Sequence, residues 1–117
     1  MMFSYKVIFH IDEMSKWKLL LGNVRNLLNG FKDDSVDVIV LANAEAVQFY
    51  VYKEEMNPLI DLMKRLFSDG VNFVACNNSL NAHIIHKESL FEHVNIVPSG
   101  VVELVKRQSI GYAYIKP

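Results

Sequence analysis

The chain predicts an α/β fold: a three-layer α/β/α domain around a five-stranded, mainly parallel sheet. Three observations carry this. Short β-branched apolar runs alternate with helix-period stretches along all 117 residues. The run Val36–Ala42 is almost continuously apolar, as in a strand covered on both faces. Turn and cap residues fall between the runs and not inside them. A flavodoxin-like strand order, 2-1-3-4-5, is the expected arrangement.

Tyr5–Ile11 (YKVIFHI) reads as the first strand. A helix from about Ser15 to Phe31 follows, because Trp17, Leu20, Leu21, Val24, Leu27, Leu28 and Phe31 recur at three- and four-residue steps. Asn29-Gly30 marks its fraying end. Val36–Ala42 is the second strand. Ala44–Tyr52 fits a short helix through Val47, Tyr50 and Val51, or a strand through Val47, Phe49 and Val51; helix preserves the alternation. Asn57-Pro58 opens a helix with a cap and a first-turn proline. Its stripe is Leu59, Leu62, Met63, Leu66 and Phe67, and Asp69-Gly70 stops it. Val71–Cys76 is the third strand. Ser79–His86 is a short helix, and Ser89–Glu92 adds a turn. Val94–Val97 is the fourth strand, Val101 to about Gln108 a helix, and Gly111–Lys116 the last strand.

Composition narrows the function classes. Apolar residues make up 51% and charged residues 21%, enough for a core and contrary to disorder. The length suits a single domain spanning residues 1–117. No apolar run reaches a membrane span, and the N-terminus lacks the pattern of a signal peptide. The single cysteine excludes an intrachain disulfide and fits a reducing compartment, so a cytoplasmic location is expected. Net charge is -1, and the Lys and Arg residues form no stripe that would track a phosphate backbone, so nucleic acid is not expected as a direct ligand.

The most informative residue is Cys76, between an apolar strand and the helix-capping residues Asn77, Asn78 and Ser79. Ligands in open α/β sheets collect outside the carboxyl ends of strands. A thiol there is tipped toward thiolate by a helix N-terminus. The expectation is that this sulfur lies open at the rim. In the 2-1-3-4-5 order, His10 at the end of the first strand approaches Cys76 and assists as a proton-transfer or charge partner. Asn43, after the second strand, and Ser99-Gly100, after the fourth, border the same edge as binding residues, together with Asn77, Asn78 and Ser79. Each has a plainer reading. Cys76 is then a packed thiol, His10 a core histidine, and Asn77, Asn78 and Ser79 helix caps.

Other constellations point away from chemistry. His83, His86 and His93 lack a second cysteine or a carboxylate at metal-ligand spacing, so no metal is expected. Tyr50, Tyr52, Tyr112 and Tyr114 are explained as well by strand and helix packing as by the lining of a surface. No strand is followed by a glycine-rich phosphate loop, and the first ends in Asp12-Glu13; a flavin or nucleotide cofactor is not expected. There is no GxSxG elbow.

Three blocks carry a family resemblance: residues 6–13 (KVIFHIDE), 70–80 (GVNFVACNNSL), and 96–104 (IVPSGVVEL) continuing to Gln108 and Gly111–Pro117 (GYAYIKP). Together with Asn23–Leu28 they resemble the DsrE/DsrF-like family of small sulfur-relay proteins, over nearly the whole chain. The resemblance implies a three-layer domain, a trimeric or hexameric assembly, and a cysteine that accepts persulfide sulfur from a donor protein and passes it to an acceptor. Only Cys76 matches that position. His10 matches a recurrent histidine of the first strand, with no role attached. Relatives often have a glycine after the second strand, where this chain reads Ala42-Asn43-Ala44. The alternative function is a non-catalytic oligomeric protein that binds a ligand or partner, with Cys76 structural.

Overall fold

The computed structural model describes residues 3–117. Its strands are β1 (Ser4–Ile11), β2 (Ser35–Ala42), β3 (Asn72–Cys76), β4 (Asn95–Val97) and β5 (Ala113–Ile115). Its helices are α1 (Trp17–Gly30), α2 (Pro58–Ser68), α3 (Asn77–Ala82) and α4 (Gly100–Ser109). Every strand pair is parallel. The α/β class and the five-stranded parallel sheet with helices on both sides therefore hold.

The strand order is β4-β3-β2-β1-β5. It replaces the expected 2-1-3-4-5: β1 and β3 are not neighbours, because β2 lies between them. The three crossovers β1–β2, β2–β3 and β3–β4 all step in one direction. With the usual right-handed connection, that sets their helices on one face. Accordingly Trp17, Leu20, Leu21 and Val24 of α1, Ile60, Met63 and Leu66 of α2, and Leu80 of α3 bury against Val7, Phe9, Val38, Val40 and Phe73. Only the return from β4 to β5 crosses the opposite face. There Leu104 of α4 meets Ile8, Ile39, Leu41, Val74 and Tyr112. The connections reverse direction between β3 and β4. Cys76 and Gly100 stand at that switch point, where α3 leaves toward one face and α4 toward the other.

Local differences have local causes. Ala44–Tyr50 is a 3-10 helix, in line with the helical alternative. Trp17 donates its indole N–H to the Ala46 carbonyl and stacks on Phe49, tying this segment to α1. Asn57 caps α2 as expected, accepting from the Leu59 amide at 2.9 Å. The α2 stripe is rotated by one position: Ile60 is buried, whereas Phe67 is 44% exposed and lies against His93. Helix α3 starts two residues before Ser79 because Cys76 itself is the N-cap. It stops at Ala82 instead of His86, and Ile84 then takes φ 54°, which turns the chain out of the helix. No helix among the described residues is long and apolar enough to cross a membrane.

Candidate functional site

Cys76 ends β3 on the α4 face, two residues beyond Val74. The residue is 5% exposed, so the thiol is not open at the rim as its strand-end position suggests. Its surroundings are nevertheless polar. The Gly100 amide, the first of α4, donates to Sγ at 3.2 Å. Burial alone pushes the thiol up. The Ser79 hydroxyl and the amides of Gly100, Ser79 and Asn78 outweigh it, and the net direction is down from the ordinary cysteine value.

The Ser79 oxygen is served elsewhere. The Ala44 amide donates to Ser79 Oγ at 2.7 Å, leaving the hydroxyl proton for Cys76. Ala44 has φ 51°, a left-handed conformation that costs a non-glycine residue on the order of 1–2 kcal/mol. This chain thus holds a strained alanine beside the site.

Gly100 is closely packed. A Cβ built on it would lie 3.2 Å from Cys76 Cβ and 3.5 Å from both Cys76 Sγ and Asn43 Cβ. Asn43 follows the paired positions Ala42 and Ala75 by one residue, which puts it directly across from Cys76. Its Oδ1 lies 2.8 Å from His10 Nε2, and His10 Nδ1 lies 2.6 Å from Tyr114 Oη. Four adjacent strands therefore each contribute one polar residue to the same face, in the order Cys76, Asn43, His10, Tyr114.

The structure does not bring His10 to the sulfur. His10 is in register with Leu41, and Leu41 with Val74, so two strand spacings and two residues separate it from Cys76, about 12 Å. The ring is 9% exposed, with both nitrogens engaged. Asn78 is exposed, while Asn77, Ser79 and Ser99 are half-buried. The Asn78 and Ser79 amides address the sulfur; Ser99 caps α4 through its backbone carbonyl, which accepts from the Glu103 amide. Tyr114 is the residue that sequence reasoning left out of the site. Its side chain lies on the His10 face because Tyr114 pairs with Ile8, and strand order alone reveals that.

The remaining histidines stand apart. His83 Nδ1 meets Gln48 at 3.2 Å, and His93 lies among Phe67, Phe73 and Phe91. Among the described residues no three metal-ligating side chains converge.

The model of the DsrE/DsrF-like family matches residues 7–117. The chain belongs to that family. A solved structure similar to it is the protein of unknown function MTH1491 from Methanobacterium thermoautotrophicum, at 37% identity and TM-score 0.86, covering 97% of this chain and 99% of that one. The ychN protein from E. coli shares the fold at 14% identity and TM-score 0.67, covering 98% of this chain and 100% of its own. No curated protein matches the chain. The family is associated with sulfur relay, and in this member Cys76 is the one cysteine and is buried.

Proposed function

We propose that the protein carries sulfane sulfur on Cys76 between a donor and an acceptor protein in a reducing, cytoplasmic setting. The observation that carries this reading is the donor set around Sγ: the Gly100 amide at 3.2 Å, with the Ser79 hydroxyl and the amides of Asn78 and Ser79 favouring thiolate. Cys76 thiolate attacks the outer sulfur of a donor persulfide. The new Sγ–S bond forms as the donor S–S bond breaks. The donor departs as a thiolate with the bonding pair, and the terminal sulfur, deprotonated in the donor persulfide, keeps its negative charge on Cys76. An acceptor thiolate then attacks the terminal sulfur and releases Cys76 as thiolate, with no net oxidation. Because the chain has one cysteine, both transfers run between proteins.

The proposal includes self-association as a trimer or hexamer. Its support is α4, which buries Leu104 inward yet leaves Val101, Val102 and Val105 exposed. The 5% exposure of Cys76 favours a second reading, in which the thiol is structural and the assembly binds a ligand or partner. The deciding experiment treats reduced protein with a persulfide donor and measures intact mass. Gain of one sulfur by the wild type and none by Cys76→Ser supports carriage. No gain in the wild type, while a control carrier is loaded, supports the structural reading.

A further inference from the structure

The His10 ring is more than nine-tenths buried and hydrogen-bonded at both nitrogens, but neither partner is the thiol. A tyrosine hydroxyl on one side and an asparagine amide on the other constrain each other through the ring. The arrangement consistent with the donors around Sγ has the Tyr114 hydroxyl donating to Nδ1, the ring neutral with its proton on Nε2, and Nε2–H donating to Asn43 Oδ1; this tautomer is assigned from the network. The reverse arrangement would turn the amide nitrogen of Asn43 toward His10 and its oxygen lone pairs toward the side where the sulfur lies. With Oδ1 committed to His10, Asn43 Nδ2 makes no hydrogen bond among the described residues. Its side chain stands directly across from Cys76, and its Cβ flanks the same point beside Gly100 as Sγ does.

We infer that Asn43 supplies a side-chain N–H donor for an anionic group arriving at Cys76, and that Tyr114 and His10 are positioning residues that hold the amide in that orientation. The inference rests on the thiol's being the reacting group, as proposed above, and it assigns the class of substrate: one whose reacting end carries negative charge, as a deprotonated persulfide does. The one negative charge it meets there is the thiolate itself, and the surrounding groups are arranged to offset both. The groups addressing Sγ are the Gly100, Asn78 and Ser79 amides and the Ser79 hydroxyl, all donors. Without the Tyr114 hydroxyl the neutral ring is free to move its proton to Nδ1. Nε2 then becomes an acceptor, and the amide is drawn round with its nitrogen toward His10.

The test uses two alkylating reagents of nearly equal size, anionic iodoacetate and neutral iodoacetamide, on the native protein. The wild type is expected to show an iodoacetate-to-iodoacetamide rate ratio about tenfold above that of an unstructured cysteine peptide, the scale of one charge-assisted hydrogen bond. Asn43→Ala should bring the ratio to the peptide value, and Asn43→Asp should take it below. Tyr114→Phe keeps the ring packing and should lower the ratio in the same direction; it stands in for the Asn43 variants if they do not fold. A general loosening of the site would change both rates together and leave the ratio unmoved. An unchanged ratio in folded Asn43→Ala, or in Tyr114→Phe where only that variant folds, overturns the inference. Sulfur uptake by the wild type alongside that unchanged ratio leaves carriage intact, whereas a lowered ratio without sulfur uptake overturns carriage alone.

Discussion

Asn43 and Cys76 face each other across β2 and β3, one residue past the last paired positions Ala42 and Ala75. This puts a side-chain amide beside the thiol, while His10 lies a further strand away and bonds to that amide. The path from histidine to sulfur therefore runs through Asn43.

Ser79→Ala removes the hydroxyl that stabilises the thiolate and leaves the Ala44 amide without its acceptor. Burial, which raises the thiol, is then less well opposed. The thiolate fraction at pH 7 should fall, and the pH profile of Cys76 alkylation should move to higher pH. A superimposable profile would remove Ser79 from the account.

Gly100→Ala places a methyl group 3.2 Å from Cys76 Cβ. Overpacking of this kind costs about 1–3 kcal/mol. Denaturant unfolding should show that loss, and native alkylation should change because the amide on Sγ must shift with the start of α4. Stability equal to wild type would mean that the α4 entry yields freely.

Ala44→Gly tests the left-handed turn at φ 51°. Glycine removes the steric cost but adds freedom to the unfolded chain, so the net gain should reach up to about 1 kcal/mol. Urea unfolding measures it; a loss of stability would show that the alanine methyl contributes contacts worth more than the strain.

His93 makes stability depend on pH. Its Nε2 is buried without a partner, and burial, then the Lys64 charge, holds the imidazole below its ordinary value. The unfolded chain therefore takes up the proton first, below about pH 6.5. Stability from this residue is present above that pH and is lost as pH falls toward the folded value. His93→Phe, set among Phe67, Phe73 and Phe91, should flatten the decline between pH 7 and pH 5 in thermal melts. A parallel decline in both proteins would assign it to other groups.

The self-association proposal is tested on the outward side of α4. Val105, 67% exposed, has no packing role within the chain that its exposure would suggest, so Val105→Asp should leave the fold intact. If copies of this chain cover the face, light scattering should show a smaller species than wild type. An unchanged mass would move any association elsewhere.

The elements were legible because each reports local physics. Asn57-Pro58 announces α2 by cap chemistry, and the apolar run of β2 announces a strand covered on both sides. Strand order was not legible, since a helix stripe such as Trp17-Leu20-Val24 says that a face is buried but not against which side of the sheet. The 2-1-3-4-5 expectation failed there, and with it the direct approach of His10 to Cys76. The location of Cys76 at a switch point survived, because the reversal falls between β3 and β4. Tyr114 went unrecognised for the same reason: its partner lies 104 positions away. The early start of α3 was hidden because the capping position is a cysteine, a residue type without strong capping preference.

Three of the four groups that favour Cys76 thiolate are main-chain amides, and the one on Asn78, whose side chain is exposed, is indifferent to the identity of that side chain. Mutational drift at Asn78 can thus proceed while the thiol's electrostatic surroundings pass unaltered from ancestor to descendant. Searches for shared residue types among homologues will underestimate how widely that microenvironment is inherited.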